Sequence, residues 1–123
     1  MNSKFELALA CAVLSATGGA FAAGDGMHGQ ELYASRCTGC HSVDRNRIGP
    51  AHQGVYGRRA GRVADYDYSP ALKASKLVWS DKTLDAWLAN PQRLIPGQKM
   101  GYSVTDAADR ADLIAYLRTL SPP

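Results

Sequence analysis

Apolar residues recur at helical spacing near both ends of the chain from residue 23 onward. At the amino side, a shared apolar face predicts a helix that is capped by Asp25 and runs to about Arg36. At the carboxyl side, a second stripe predicts a helix that starts at Thr105 or Asp106 and ends at about Thr119. The faces consist of Gly29, Leu32 and Tyr33 in the first helix, and Leu113, Tyr116, Leu117 and Leu120 in the second.

The middle of the chain carries shorter helical signals separated by loops. Ser69-Pro70 is typical of an N-cap followed by the first helical residue, and it predicts a short helix to about Ser75. Ser80 could cap another helix, which Asn90-Pro91 would end. The segment 48–65 is rich in Gly and Arg and is predicted to be loop, and no alternating strand pattern is evident. The pattern therefore predicts an all-α domain with long loops that need something to pack against.

The first 22 residues have the pattern of a cleaved secretory signal peptide. Lys4 precedes an apolar stretch from Leu7 to Leu14, and Ala20-Phe21-Ala22 is a small-residue cleavage signal. That stretch is shorter than the roughly 20 residues of a membrane-spanning helix. We therefore predict a signal peptide over residues 1–22, a single domain over residues 23–123 and no stable membrane insertion. A lipoprotein acylated at Cys11 is the alternative, although it leaves the cleavage signal unexplained.

The net charge and its distribution along the chain indicate which classes of partner to consider. The chain carries 14 Lys and Arg against 11 Asp and Glu, a formal net charge of +3. Residues 36–99 hold eleven of the basic residues and only five of the acidic ones. Such an excess can serve nucleic acid, an anionic membrane or an acidic protein, or can simply be a solvated surface. No nucleic-acid-binding motif is present, which leaves a docking face for acidic redox proteins or a merely solvated surface. We also expect the protein to be a monomer.

The candidate chemistry lies in Cys37-Thr38-Gly39-Cys40-His41, a C-x-x-C-H motif typical of covalent c-type haem attachment. Two thiols three residues apart can project from one side of a helical turn and bond the two vinyl groups of a haem. His41 would then lie beneath the iron as its proximal ligand. A thioredoxin-like redox pair or half of a zinc site is the alternative. No second Cys pair follows, so haem is favoured, and export agrees with haem attachment outside the bacterial cytoplasm.

A six-coordinate iron needs a second ligand opposite His41. The candidates after residue 22 are Met100, Met27, His28, His52 and, less favoured, Lys99 or a tyrosine. Met100 follows Pro96-Gly97-Gln98-Lys99, a turn-rich stretch after a helix stop that could bring a thioether to the distal face.

Taken together, the chain resembles the class I c-type cytochromes, close to the mitochondrial and bacterial cytochrome c and c2 group, over residues 24–120. The resemblance rests on an ordered set: Gly29, Tyr33, the C-x-x-C-H motif, Ile48-Gly49-Pro50, Gly57-Arg58, Tyr68-Ser69, Trp79, Asn90-Pro91, Pro96-Gly97-x-Lys99-Met100 and Leu113-Ile114-Ala115-Tyr116-Leu117. It implies the cytochrome c fold, one covalent haem c with His41 and Met100 on the iron, and one-electron transfer rather than enzymatic catalysis. It also implies that redox proteins, a reductase or dehydrogenase as donor and an oxidase or other protein as acceptor, dock at the exposed haem edge.

The resemblance further implies roles around the haem. The carbonyl of Pro50 would orient His41, and four residues would hydrogen-bond the haem propionates or offset their charge: Arg58, Tyr68, Ser69 and Trp79. Several positions depart from the pattern of the family. Trp87 replaces a tyrosine near the methionine sulfur, Gln98 a threonine, Leu72 an asparagine, Tyr102 a phenylalanine, and His52 a leucine. His52 is expected to be a hydrogen-bonded or exposed residue, with a rival-ligand role as the alternative.

Three functions remain open to the sequence. The favoured one is a periplasmic electron carrier of a bacterial respiratory chain. A peroxidase-like or nitrite-handling haem enzyme would need an open sixth position on the iron. A haem sensor or a permanently docked subunit is the third, and a subunit would expose a large apolar patch.

Overall fold

The computed structural model describes residues 12–13 and 23–121. Most of the predicted signal peptide, including Cys11 and Ala20-Phe21-Ala22, lies outside these residues. In residues 23–121 the regular structure is helical, with a single isolated bridge between Arg59 and Val78. The helices are α1 (Gly26–Arg36), α2 (Pro70–Ala74), α3 (Asp81–Ala89), α4 (Pro91–Leu94) and α5 (Ala107–Thr119). The all-α prediction is confirmed.

Side-chain caps start each helix. Asp25 accepts hydrogen bonds from two backbone N–H groups of α1, Ser69 caps α2, and Asp106 caps α5. Ser80 and Thr83 form a reciprocal capping box at the start of α3. These four starts agree with the sequence prediction.

Helix α4 is absent from the sequence prediction, because Asn90-Pro91 is also the typical end of a helix. Asn90 does end α3, but its side chain also accepts a hydrogen bond from the N–H of Arg93 and so caps a new turn. Pro91 is well placed as the first residue of that turn, since it has no N–H to leave unsatisfied. Helix α4 carries the chain into the loop that contains Met100.

The first and last helices cross, and the crossing is a backbone-to-backbone contact. A Cβ at Gly29 would collide with the carbonyl of Asp112 and lie 3.0 Å from the Cβ of Tyr116. Glycine is therefore required for this close approach. Around it, Leu32, Leu113 and Leu117 are buried, and Arg36 pairs with Asp109 at 3.0 Å. The crossing anchors α1, and with it the C-x-x-C-H motif that follows.

Helix α3 is tied to α5 by two ion pairs. The guanidinium of Arg110 lies 2.7 Å from Asp85 at a mostly buried position. Arg118 pairs with Asp81 and lies over the ring of Tyr56 at 4.9 Å. Leu84 and Leu88 of α3 are buried in the core that α1 and α5 share.

A histidine–carboxylate pair closes the amino end of the helix crossing. Nδ1 of His28 lies 2.7 Å from Asp112, whose other oxygen accepts the backbone N–H of Asp25 at 2.7 Å. The hydrogen bond to Asp112 raises the pKa of His28, and the same bond lowers the pKa of Asp112.

The contribution of this pair to stability depends on pH in a way that follows from these two pKa shifts. A raised histidine pKa stabilises the fold below the ordinary value of 6.5, and that contribution is lost as the pH rises through the raised value. A lowered carboxyl pKa stabilises the fold above 3.8. We therefore expect His28→Asn to lower the melting temperature slightly at about pH 5 and much less at about pH 9. An equal loss at both pH values would contradict the assignment.

No helix within residues 12–13 and 23–121 is both long enough and apolar enough to cross a membrane.

Candidate haem site

All the predicted site residues line one cavity of about 550 Å³. The lining is largely apolar and comes from α1, the loop after it, the start of α2, α3, the loop before α5, and α5. The predicted residues on its walls are Cys37, Cys40, His41, Pro50, Arg58, Tyr68, Ser69, Trp79 and Met100. Residues spread over more than half of the chain are thus brought together around a single apolar space.

The two cysteines lie directly at the end of α1. Cys37 is the C-cap, and its carbonyl accepts hydrogen bonds from the N–H groups of Cys40 and His41 at 3.1 and 2.9 Å. This tight turn presents both thiols to the cavity. Burial raises the pKa of the Cys37 thiol to about 11, whereas a redox dithiol needs a lowered one. Neither a redox pair nor a zinc cluster fits, and the described residues hold no group of three or more metal-binding side chains.

A backbone carbonyl fixes the orientation of the His41 ring. Its Nδ1 lies 2.9 Å from the carbonyl oxygen of Pro50, the bond that the resemblance implies. This bond fixes the tautomer with Nδ1 protonated and leaves Nε2 free to bind a metal. A Cβ at Gly49 would collide with the imidazole, so only glycine leaves room for the ring there. Burial is the largest cause that lowers the pKa of His41, which favours the neutral ring that a metal requires.

Of the candidate second ligands favoured above Lys99 and the tyrosines, only Met100 and His52 line the cavity. Met27 is 81% exposed, and His28 is paired with Asp112; neither lines the cavity. His52 does line the cavity, but its ring stacks on that of His41 with centroids 4.0 Å apart. Since stacked rings share one side of the cavity, His52 cannot face His41 across an iron as it stands.

The residues implied to serve the propionates are anchored by hydrogen bonds of their own. Arg58 donates to the carbonyl of Gln53 at 2.7 Å, and the hydroxyl of Tyr68 accepts from the N–H of Val63 at 3.0 Å. Ser69 is buried and caps α2. Trp79 is also buried and packs edge-on against Trp87 at 5.3 Å. Each of these four side chains therefore has contacts within the protein that fix its position on the cavity wall.

Arg47 is a residue that the sequence analysis missed. Its guanidinium donates to the carbonyls of Thr38 and His41 at 2.5 and 3.1 Å. It thus clamps the C-x-x-C-H turn from outside and places a positive charge beside His41, whose pKa it helps to lower. No sequence signal indicates this contact, because it depends on how the loop after the motif folds back.

We expect Arg47→Gln to lower the free energy of unfolding by about 1 kcal/mol, since hydrogen bonds from a charged donor to otherwise unpartnered carbonyls are lost. The same variant should lower the reduction potential slightly, because a cation near the iron is removed. Arg45→Gln, at an exposed position two residues earlier, is the matched control. Denaturant unfolding and potentiometry of both variants test this, and equal effects would contradict the clamp.

Comparisons with known proteins agree with this geometry. The family model described as Cytochrome c matches residues 27–121. The chain belongs to the cytochrome c family. A cytochrome c of Gibberella zeae is 45% identical over 101 residues, which is 79% of this chain and 95% of that protein. A cytochrome c2 of Rhodopila globiformis is 42% identical over 100 residues, 79% of this chain and 94% of that protein.

A solved structure agrees as well. Cytochrome cH from Methylobacterium extorquens superposes with a TM-score of 0.74 at 42% identity, covering 78% of this chain and 99% of that one. The cytochrome c fold is therefore confirmed. As a member of the cytochrome c family, the protein is an electron carrier with one covalent haem c, and not an enzyme.

The residues present fit that cofactor. A haem is a flat apolar body with two anionic groups at one edge, and the cavity is apolar, with Arg58 and two buried hydroxyl groups on its wall. The space that Gly49 leaves for His41 is a further match, because the ring needs that room to face the cavity.

Proposed function

We propose that this cytochrome holds its haem through thioether bonds to Cys37 and Cys40, with His41 and Met100 as axial ligands, and that it is exported to the bacterial periplasm. The observation that carries the ligand assignment is the convergence of these four side chains on one apolar cavity. Pro50 orients His41, while Arg58, Tyr68, Ser69 and Trp79 serve the propionates.

The chain's residues favour rapid and reversible electron transfer. Bound haem supplies an iron that gains or loses one electron. The soft thioether of Met100 stabilises the reduced form, and the apolar walls disfavour the extra charge of the oxidised form. His41 is fixed by Pro50, and Met100 is held by the turn after α4, so the same ligands can remain in both states. If His41 and Met100 both bound the iron, they would leave no open position for oxygen or peroxide.

Export and partners are inferred from other features. The predicted signal peptide supports the periplasm, and so does the similarity to bacterial cytochromes c2 and cH. Electrons would cross at the mouth of the cavity, where Ile48 is 74% exposed and Tyr102 is 42% exposed. Small redox partners that dock there transiently are expected to respond to salt.

We expect five basic residues to surround this mouth, and they divide into two groups. Arg36 and Lys99 line the cavity, but Arg36 pairs with Asp109, and Lys99 lies 3.7 Å from Asp67. The others are exposed and lie outside the lining: Arg45, Lys82 and Arg93. The second group is therefore the better candidate for long-range attraction of acidic partners in a respiratory chain.

The first test is the optical spectrum of the purified oxidised protein. The proposal expects a low-spin spectrum with the weak red-edge charge-transfer band from sulfur to iron. Cys37→Ser combined with Cys40→Ser should abolish the haem that survives denaturation and extraction. A high-spin iron that binds cyanide at once would overturn the ligand assignment.

Export has a separate test. The mass of the protein recovered from the periplasmic fraction should correspond to a chain that begins at Ala23 plus one covalently attached haem. A full-length chain in the cytoplasmic fraction would overturn the export proposal and leave the ligand assignment intact.

A further inference from the structure

A second imidazole, that of His52, packs against the face of His41. The two ring centroids are 4.0 Å apart and the planes differ by 21°. The cytochromes that this chain resembles have an aliphatic side chain at the position of His52, which can fill space but offers no flat surface. His52 is therefore a feature of this chain that the roles described so far do not use.

The ring of His52 is itself held in place. Its Nδ1 lies 2.8 Å from the hydroxyl of Tyr33, which is buried in α1 with 4% of its surface exposed. The two rings also meet edge to face, with centroids 5.5 Å apart. On its other side, Tyr33 packs against Tyr116 of α5 at 5.1 Å. The orientation of the His52 ring is thus tied to the crossing of α1 and α5.

Both members of the hydrogen bond are neutral. Burial raises the pKa of Tyr33 and lowers the pKa of His52 to about 3. A neutral phenol and a neutral imidazole can share one hydrogen bond, in which one group donates and the other accepts.

The stacked ring of His52 restricts tilting of the His41 imidazole, a motion that the hydrogen bond to Pro50 still allows. The hydrogen bond to Pro50 fixes a single ring atom, and the imidazole could still tilt about that bond. A nearly parallel ring stacked on its face blocks the tilt, because any rotation would drive the edges of the two rings together.

We propose that His52 is a positioning residue that sets the plane of the axial imidazole, and that Tyr33 holds His52 in place. The inference rests on the proposed role of His41 as an iron ligand. The plane of an axial imidazole determines how its π orbital overlaps the iron orbitals, and hence how unpaired electron density spreads over the oxidised haem. His52 therefore controls the electronic asymmetry of the site without contacting the iron.

Proton NMR of the oxidised holoprotein tests this, since the paramagnetically shifted haem methyl resonances report that asymmetry. His52→Leu removes the flat ring and should change the spread or order of the four methyl shifts. His52→Phe keeps a ring and should stay nearer to the parent pattern. Tyr33→Phe removes the hydroxyl alone and should give an intermediate change. An unchanged pattern in His52→Leu would overturn the proposal, even if the variant is less stable.

The possible outcomes distinguish failure of the ligand assignment from failure of the positioning role. If the parent protein lacks the low-spin spectrum and the red-edge band, the ligand assignment itself fails, whatever the variants show. If the parent has both and the methyl pattern of His52→Leu is unaltered, only the positioning role fails. Should His52→Leu not fold, Tyr33→Phe decides: a parent-like pattern there would overturn the role of Tyr33 as the holder of the ring.

Discussion

Met100→Ala is expected to keep the haem covalently attached while lowering its reduction potential by about 0.1 V or more, since axial ligands set haem potentials over a range of about 0.8 V. The thioether favours the reduced iron, and its loss removes that preference. Because the proposed ligand is removed, alanine also leaves an open coordination position on the iron, so added cyanide or imidazole should bind quickly. Potentiometry and ligand-binding kinetics measure the two effects.

Met27→Ala is the matched control, because Met27 is 81% exposed and does not line the cavity. It should leave the potential, the red-edge band and the slow response to cyanide unchanged. A potential that is unaltered in Met100→Ala would show that another group binds the iron, and Lys99, a candidate ligand that also lines the cavity, would then be the first residue to replace.

Gly29→Ala is expected to lower the free energy of unfolding by about 3 kcal/mol, as for severe overpacking. The new Cβ would collide with the carbonyl of Asp112, which is backbone and cannot rotate away. Helices α1 and α5 must therefore separate, and Leu32, Leu113 and Leu117 lose packing with them. Guanidinium titration of the holoprotein measures the loss.

Gly26→Ala separates this collision from a general effect of helix composition. A Cβ at Gly26 would lie 3.8 Å from the carbonyl of Ala115, an ordinary van der Waals distance. Since alanine is the better helix former, this variant should be neutral or slightly stabilising. Equal destabilisation by both substitutions would mean that the tight crossing is not what glycine provides at position 29.

Much of the fold could be predicted from the sequence because its signals are local. Asp25, Ser69 and Ser80 act within three residues of their own positions, so a linear pattern suffices to place the helix starts. Helix α4 was missed because Asn90 has two local roles, and only the stop at the end of α3 was considered.

The site could be predicted in part. The C-x-x-C-H motif is local, and the resemblance supplied the distant members of the cavity wall. The contacts of Arg47 and His52 could not be predicted, because each depends on a loop returning to the C-x-x-C-H turn or to α1. From residue type alone, Arg47 is an exposed cation, and His52 is a histidine with several possible roles.

The crossing of α1 and α5 also sets the order in which the chain can fold. The hydrogen bond from Asp25 to Asp112 joins residues 87 positions apart. Bringing such distant segments together has an entropic cost that only the completed contact can offset. Helix α5 is thus the partner of α1 although the whole haem-binding segment lies between them, and α1 cannot be covered until α5 is available. A chain in which α5 has not yet docked therefore has the attachment motif but lacks the helix that closes its core.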